Sequence, residues 1–402
     1  MRFNLWEDCN RVPLTELLSF IVDNRGKTVP TAPSGHKLIA TNCVTNNTLF
    51  PVYEKIRYLS EETYQTWFRA HPIPGDILFV NKGTPGRVCL VPDPVDFCIA
   101  QDMIALRADE SKIYPKYLFA VLRSREIQQQ IYNTNVGDVI PHFKKQFLNQ
   151  LLIPIPERSI QESIGDLYYV LSLKAERNKM INDNLEQQAQ SYFQELFVDN
   201  ADPEWTTGTI SDLGAVVGGS TPSKAKPEYY TESGIAWITP KDLSINKSKF
   251  VSHGENDITE LGLKNSSAAI MPEGTVLFSS RAPIGYIAIA AGEVTTNQGF
   301  KSVVPKPEIG TPFVYFFLKN TLPVIEGMAS GSTFKEVSGS TMKNVPAVIP
   351  DAETLAKFSD FCAPIFAQQR ILEEQNQSLA TLRDNLLPKL MSGEIDVSAV
   401  QL

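Results

Sequence analysis

The chain is poor in the residues on which several common chemistries depend. Its 402 residues include only five cysteines and four histidines. No two cysteines form a C-x-x-C pair, and no H-E-x-x-H motif occurs. We therefore expect no metal site and no disulfide framework.

Long apolar runs are also missing. No stretch approaches the ~18 consecutive apolar residues of a membrane span. The opening residues, MRFNLWEDCNRV, contain neither an apolar stretch nor a small-residue cleavage site. The simplest expectation is a cytoplasmic protein without a signal peptide.

No string in the chain matches the catalytic motifs considered at every required position. Gly26-Lys-Thr28 imitates the end of a phosphate-binding loop, but Ile21 stands where the first glycine belongs. An endonuclease-like pattern can be assembled from Asp93 and Glu110-Ser-Lys112, yet 45 acidic residues make such a spacing common by chance. There is no Asn/Asp-Pro-Pro-aromatic run of the kind seen in adenine methyltransferases. The sequence predicts a chain with no active site of its own.

Positive charge is scarce overall, since the formal net charge is −8. Phosphate binding needs clustered Lys and Arg, so this total argues mildly against a nucleic-acid partner. A net charge averages over regions with different roles, however. Residues 81–87 contain Lys82 and Arg87 and no acid, so the acidic total does not exclude local basic faces.

The most informative feature is an internal repeat of nearly half the chain. Gly75-Asp-Ile-Leu-Phe79 matches Gly274-Thr-Val-Leu-Phe278. The further matches are Gly86 with Gly285, Gln101 with Gln298, Gly137 with Gly331, and Leu151–Pro156 with Val345–Pro350. The offset drifts from 199 to 194, as small loop deletions would cause.

Each repeat reads as short strands and loops followed by helices. Apolar runs at Asp76–Val80 and Thr275–Ser279 predict equivalent strands. Residues 115–132 and 312–328 predict equivalent helices, each with proline in its first turn.

Both repeats end in a heptad pattern that predicts a helix of about 35 residues. The first seam consists of Ile164, Leu167, Leu171, Ile181, Leu185 and Tyr192, and the second of Phe358, Phe361, Ile365, Leu372, Leu379, Leu382 and Leu386. Polar residues interrupt both seams, at Lys174, Asn178 and Gln188 and at Gln368 and Gln375. Such narrow seams favour pairing of the two helices, with the polar positions fixing register. The alternative is that each helix packs only on its own domain.

The predicted fold class is α+β. We expect two tandem mixed α/β domains, each followed by a long helix, with the two helices pairing as an antiparallel coiled coil of pseudo-twofold symmetry. The predicted segments are residues 1–156, 157–199, 200–350 and 351–402.

Several strings resemble the specificity subunits of type I restriction–modification systems. They are Leu386–Val397, Trp237–Leu243, Leu277–Gly285, Thr296–Phe300 and Gly331–Lys335. The first repeat departs from this pattern, with Lys82-Gly-Thr-Pro-Gly-Arg87 where the second has Ser-Arg-Ala-Pro-Ile-Gly. In that family the two repeated domains are target-recognition domains, which vary because each reads its own sequence.

The resemblance implies a DNA-binding function. Each target-recognition domain would read half of a bipartite, asymmetric site in double-stranded DNA, while the helices set the spacer and dock two modification (methyltransferase) subunits. Translocating and cleaving restriction subunits would join them. The chain itself would carry no cofactor, and S-adenosylmethionine, ATP and magnesium would belong to the partner subunits.

Candidate DNA contacts are cations and amides on loops beside strands. In the first repeat they are Lys82, Arg87, His142, Lys144 and Lys145, and in the second Lys241, Arg281, Asn297, Gln298 and Lys335. We expect the lysines to position phosphates, and Arg281 and Gln298 to contact bases. Each charge could instead be an ordinary surface charge, and Asn297 and Gln298 could serve a turn. The alternative function is a non-catalytic protein scaffold with the helices as its assembly platform.

Overall fold

The computed structural model describes residues 4–24, 28–134, 141–281, 283–331 and 335–395. Parts of the sequence patterns lie outside them, namely Gly26, Lys27, Gly137, Ala282, residues 332–334 and residues 396–397. The chain forms two compact units, one of residues 1–179 and 375–402 and the other of residues 180–374. Each unit combines one repeat with stretches of both long helices, so the units cut across the four predicted segments.

The first repeat, within the described residues, forms three small sheets. Its strands are β1 (Arg11–Pro13), β2 (Leu18–Val22), β3 (His36–Ile39), β4 (Arg57–Leu59), β5 (Ile77–Val80), β6 (Val88–Leu90), β7 (Phe97–Ile99), β8 (Met103–Ala108) and β9 (Leu152–Pro154). Their order is β2-β8-β5-β6 in one sheet, β4-β3-β7 in the second and β1-β9 in the third. The α-helices are α1 (Leu5–Asp8), α2 (Glu61–Thr66), α3 (Pro115–Leu122), α4 (Arg125–Asn133) and α5 (Arg158–Gln194). We call residues 11–154 module one.

The second repeat has the same plan. Its strands are β10 (Thr206–Thr209), β11 (Gly214–Gly218), β12 (Tyr230–Thr231), β13 (Ile235–Ile238), β14 (Phe250–Val251), β15 (Asn256–Ile258), β16 (Val276–Ser280), β17 (Ile284–Ala290), β18 (Thr295–Thr296), β19 (Lys301–Pro305) and β20 (Pro346–Ile349). They form sheets of order β11-β19-β16-β17-β14, β12-β15-β13-β18 and β10-β20. The α-helices are α6 (Ile210–Leu213), α7 (Pro240–Ile245), α8 (Glu260–Lys264), α9 (Thr311–Met328), α10 (Gly339–Lys343) and α11 (Ala352–Met391). We call residues 206–349 module two.

Strand order and register confirm the internal repeat. Ile77 pairs with Leu90 in module one, and Val276, 199 residues later, pairs with Ile289 in module two. The predicted strands are present as β5 and β16. The predicted helix over residues 312–328 is α9, whereas its counterpart over 115–132 divides into α3 and α4. The division falls at Ser124, whose side chain caps α4 by accepting a hydrogen bond from the Ile127 N–H.

The central strands β5 and β16 are buried on both faces. In β5, Ile77 and Phe79 belong to one apolar cluster, while Leu78 and Val80 belong to another on the opposite face. The same alternation occurs along β16. Burial on both sides explains why these strands read as continuous apolar runs rather than as alternating patterns.

The two long helices, α5 and α11, pair in an antiparallel manner, as predicted. In the first unit the Arg383 guanidinium lies 5.7 Å from the Tyr168 ring centroid, and Asn178 Nδ2 donates to Gln375 Oε1 at 3.3 Å. Residues further along α5 therefore meet residues earlier in α11. In the second unit the ring centroids of Tyr192 and Phe358 lie 6.0 Å apart. We call α5 and α11 the helix pair.

Most predicted seam residues lie in the apolar clusters that join these helices to the modules. Ile164, Leu167 and Leu386 belong to the first unit's cluster, and Leu185, Tyr192, Phe358 and Ile365 to the second unit's. Leu372 is also buried, while Leu171 and Leu379 are half-buried. Helix pairing and packing on the module, which the sequence left as alternatives, therefore occur together.

Three predicted seam residues are more exposed than a central seam position implies. Ile181, Phe361 and Leu382 are 45%, 39% and 46% exposed. An α-helix of 3.6 residues per turn drifts by about 20° per heptad relative to a 3.5-residue repeat, and packing against the modules turns other residues inward. Phe361 still touches the partner helix from the rim, since its ring centroid lies 4.5 Å from that of Tyr192.

The middle of the helix pair is polar. Asn178, predicted as a polar seam residue, is fully buried, and the buried glutamine of α11 is Gln369 rather than the predicted Gln368. Asn182 Nδ2 donates to the Gln369 carbonyl at 3.4 Å, and Gln369 Nε2 donates to the Asn182 carbonyl at 3.1 Å. Buried amides that hydrogen-bond across the two helices favour one helix register.

Gly165 brings α5 against the start of α3. A Cβ at this position would lie 2.6 Å from the Tyr117 main-chain nitrogen and 2.9 Å from the Lys116 carbonyl carbon. Because backbone cannot move as a side-chain tip can, we expect Gly165→Ala to lower the free energy of unfolding by about 1–3 kcal/mol. Chemical denaturation would measure this.

Gly327 of α9 offers a matched control, because a Cβ there would meet nothing within 4 Å. We expect Gly327→Ala to be neutral or stabilising, by up to about 1 kcal/mol, as alanine favours the helix. Equal effects at the two glycines would contradict the close approach at Gly165.

Among the described residues, no helix combines the length and the apolar character needed to cross a membrane.

Candidate nucleic-acid interface

In module one, three loop segments lie side by side at the end of β5. Lys82 and His142 form an antiparallel bridge, and the Gly83 N–H donates to the Pro141 carbonyl at 2.9 Å. The Phe143 N–H donates to the Asn81 carbonyl, and the Asn81 N–H donates to the Asp102 carbonyl, both at 2.8 Å. We call residues 81–87, 101–102 and 141–145 loop platform one.

Module two repeats this arrangement with different side chains. Arg281 and Glu336 form the bridge that corresponds to Lys82 and His142. The Val337 N–H donates to the Ser280 carbonyl at 3.0 Å, and the Ser280 N–H donates to the Gly299 carbonyl at 2.7 Å. The described residues of 280–285, 297–299 and 335–337 form loop platform two. The platforms therefore share a backbone but differ in the groups they display.

Loop platform one unites all five candidate DNA contacts of the first repeat. Lys82, Arg87 and Lys144 are exposed, and among the described residues none of them forms an ion pair. Lys145 differs, because its ammonium group lies 3.0 Å from Asp23 Oδ2. Three of the cations are thus available to a phosphate, while Lys145 is held by a carboxylate.

Loop platform two has a more balanced charge. Arg281 Nη1 and Lys301 Nζ lie 3.6 and 3.9 Å from Glu336, and Lys335 is exposed beside them. Burial lowers the pKa of Lys301 and Arg281 adds to the effect, while Glu336 opposes it. Sequence reasoning found Arg281 and Lys335 but missed Glu336, which becomes apparent only through the bridge.

The two predicted amides have different roles. The Asn297 side chain turns back on its own loop, because Oδ1 accepts the Gly299 N–H at 2.8 Å. This favours the turn role that the sequence left open for Asn297. Gln298 is exposed, and its Oε1 accepts a hydrogen bond from the Thr221 hydroxyl. Its amide group remains at the surface of loop platform two.

A groove of about 380 Å³ lies next to Gln298 in module two. Its wall includes Trp237, Lys241, Asn256 and Asn297. Lys241 is exposed, and its pKa is raised because its ammonium donates to Glu255 Oε2 at 2.5 Å. Lys241 thus lies beside the groove, with a carboxylate partner that the sequence did not reveal.

Sequence reasoning missed Trp237 and Thr221 as site residues. Trp237 is almost fully buried, and its indole N–H donates to the Ser220 carbonyl at 3.0 Å, which fixes one wall of the groove. The string Trp237–Leu243 had already marked this position, although it gave no role for the ring.

Module one carries a second cationic group that the sequence did not single out. On β3, the Lys37 ammonium contacts Asp96 and lies 4.6 Å from the Tyr53 ring centroid. The phenol of Tyr53 also donates to Asp96, and burial raises the pKa of this phenol. Tyr53 is 41% exposed, so a cation and an aromatic ring lie together at the surface of module one.

Two modules of one α+β design, each with a loop platform and both attached to an antiparallel helix pair, define a two-module recognition protein. The chain belongs to the family of the type I restriction modification DNA specificity domain, which residues 24–187 and 203–382 match as two copies. The resemblance seen in the sequence is thereby confirmed.

Curated relatives agree with this membership. A 194-residue stretch is 39% identical to the type I restriction enzyme MjaIX specificity subunit of Methanocaldococcus jannaschii, covering 46% of this chain. The match spans 45% of that relative. The type I restriction enzyme HindI specificity subunit of Haemophilus influenzae is 23% identical, with 80% of this chain and 86% of the relative covered.

A solved structure supports the fold. The type I restriction-modification S subunit from M. genitalium superposes with a TM-score of 0.59 and covers 97% of this chain and 98% of its own. Its sequence identity is 18%, so this likeness concerns the fold alone. The predicted fold class, mixed α/β modules with long helices, is confirmed.

Proposed function

We propose that each module reads one half of a bipartite, asymmetric site in double-stranded DNA. The observation that carries the proposal is the pair of equivalent loop platforms with different side chains. Lys82 and His142 in module one correspond to Arg281 and Glu336 in module two. Two readers with the same backbone and different contacts suit two different half-sites, which a homodimer with identical modules could not distinguish.

The helix pair would set the unread gap between the half-sites. The 37 residues of α5 span about 55 Å at 1.5 Å per residue. This exceeds one turn of DNA, ~34 Å, which is the usual separation of half-sites on one face of the duplex. A stiff helical element of this length suits the role of a spacer.

We further propose that the helix pair docks two modification subunits. Apolar side chains on its outer side support this. Val170 and Leu382 of the first unit are 48% and 46% exposed, and Met180, Ile181 and Ile371 of the second unit are 64%, 45% and 47% exposed. A contiguous exposed apolar patch marks an interaction site, and these side chains are the candidates for such a patch.

The chemistry would belong to the partners. In this proposal the chain is non-catalytic, the modification subunits bring S-adenosylmethionine and methylate adenine, and the restriction subunits use ATP and magnesium. The endonuclease-like pattern of the first repeat gains no support, because Lys112 is engaged by Asp109 at 3.2 Å and by the Glu16 carbonyl at 3.0 Å.

Salt dependence separates DNA reading from the alternative of a protein scaffold. For the chain assembled with its modification subunits, neutralising six or more phosphates should weaken DNA binding about 10³-fold or more between about 50 and about 200 mM salt. Fluorescence anisotropy with a labelled duplex would measure the affinity. A flat response would contradict the proposal and favour the scaffold.

A matched pair of variants makes the titration specific to loop platform two. Lys335→Gln removes an exposed platform cation, and we expect the log–log salt slope to become shallower by about one. Lys264→Gln removes an exposed cation of α8 and should leave the slope unchanged. If both variants changed the slope equally, the platform would have no special role in DNA binding.

A further inference from the structure

The second unit contains a buried ion cluster centred on Lys249. This residue precedes the edge strand β14 and is only 7% exposed. Its ammonium donates to Glu186 Oε2 at 2.7 Å and to Gln369 Oε1 at 2.9 Å. The three residues belong to module two, α5 and α11, so one ammonium group joins the module to both members of the helix pair.

Aromatic rings complete the surroundings of the ammonium. The ring centroid of Phe366 on α11 lies 3.5 Å from Lys249 Nζ, and that of Tyr315 on α9 lies 4.4 Å away. Burial lowers the pKa of Lys249 to about 8, while Glu186 opposes the shift. The cation is thus held by a carboxylate, an amide and ring faces, a set of contacts that allows little freedom.

Glu186 extends the cluster to a fourth element. Its carboxylate accepts hydrogen bonds from Lys249, from the Tyr315 hydroxyl at 3.1 Å and from Lys319 on α9. Burial acts to raise the pKa of Glu186, but Lys249 and Lys319 lower it to about 2. The carboxylate therefore stays charged and ties α5 to α9 and to the residue before β14.

The backbone of Lys249 is fixed as well. Its N–H donates to Glu373 Oε1 at 2.8 Å, and the Phe250 N–H donates to Glu373 Oε2 at 3.0 Å. A carboxylate of α11 thereby satisfies two N–H groups at the start of an edge strand. Both the main chain and the side chain of this residue are bound to the helix pair.

In module one an apolar residue takes the place of Lys249. The Leu90 N–H donates to the Leu49 carbonyl at 2.8 Å, in the place where the Ile289 N–H donates to the Lys249 carbonyl at 2.7 Å. Leu49 is buried in an apolar cluster. A buried ion pair is seldom more stable than a well-packed apolar residue, and one of its attested uses is to fix a single arrangement.

We propose that Lys249 is a positioning residue that fixes module two on the helix pair and so restricts the gap lengths that the assembled protein accepts. The restriction on gap length rests on the proposed function, whereas the placement of module two on the helix pair does not. The attraction between apolar groups is non-directional, whereas hydrogen bonds depend on distance and angle. The contacts of Lys249 are directional and engage both helices, so they define one placement of the module.

The first measurement concerns the placement itself and needs no DNA. Spin labels at Glu260→Cys on α8 and Gln368→Cys on α11, in a Cys9→Ser background, report the distance between module two and the helix pair. Both sites are exposed, and the other four native cysteines are buried. We expect a narrow distance distribution in the parent protein and a broader one with Lys249→Met/Glu186→Gln, which removes both charges and so spares folding.

The matched control is Lys319→Met, which removes the other, half-exposed cation at Glu186 and leaves Lys249 in place. We expect its distance distribution to remain narrow. A distribution that stays narrow in the Lys249→Met/Glu186→Gln variant would overturn the proposal.

The second measurement compares methylation by the full complex at duplexes whose gap is native, one base pair shorter or one longer. We expect Lys249→Met/Glu186→Gln to reduce the preference for the native gap by about tenfold, with the base preference of each half-site unchanged. A uniform loss at all three gaps would show a merely structural role and would overturn the gap claim. If the parent complex methylates no bipartite site while Lys249→Met/Glu186→Gln broadens the distance distribution, the proposed function fails and the positioning role stands.

Discussion

Charge reversal at Lys82 or Arg281 is expected to weaken DNA binding by the assembled complex about 100-fold or more. The two residues occupy equivalent places on the loop platforms, each bridged to the third platform segment. A glutamate at either place would set a negative charge against the phosphates and remove a cation. Because the residues belong to separate modules, the two effects should add in free energy.

Binding of Lys82→Glu, Arg281→Glu and the double variant would be measured by anisotropy at one fixed salt concentration. Lys264→Glu provides the matched control, since it makes the same change of charge on α8, outside the platform, and should alter the affinity less than about threefold. Wild-type affinity in the double variant, with assembly intact, would rule out the platforms as the DNA-contacting surfaces. Arg281→Ala adds a test of base reading, because it should also change the sequence preference of the complex.

Phe193→Ala is expected to give the largest loss of stability, about 3–5 kcal/mol. Phe193 is 2% exposed near the end of α5. Its ring centroid lies between 5.2 and 5.9 Å from those of Phe197, Phe313, Phe316 and Phe358. Removing the ring would leave a cavity where α5, α9 and α11 meet.

Chemical denaturation followed by circular dichroism would measure this loss. Ile181→Ala is the matched control on the same helix, and its exposed side chain should contribute within about 0.5 kcal/mol. Comparable losses of unfolding free energy in the two variants would mean that Ile181 is packed as the heptad pattern predicts, and would contradict its exposed position in the structure.

The repeat and the core strands could be predicted because they depend on local patterns. Gly75–Phe79 and Gly274–Phe278 carry the same apolar run, and the structure places both in central strands. The same offset of 199 relates Lys82 to Arg281. The offset of 194 between the matches at Gly137 and Leu151 likewise relates His142 to Glu336, so the equivalence of the two platforms was implicit in the sequence, whereas the contacts that join their segments were not.

The features that could not be predicted depend on contacts between distant residues. Lys249 lies in a polar string and reads as a surface lysine, and only the contacts with Glu186 and Gln369 explain its burial. Ile181 and Leu382 fit the heptad pattern. Which face of each long helix is buried, however, depends on packing against the modules as well as on packing against the partner helix.

If this chain directs modification to a bipartite DNA site, methylation mapping of the host genome will reveal that site. The genome would be sequenced with base-modification detection before and after deletion of this chain. We predict a methylated adenine motif with two specified halves and an unread gap, present before deletion and lost after it. Persistence of every methylated motif after deletion, with the modification subunits still present, would contradict the account.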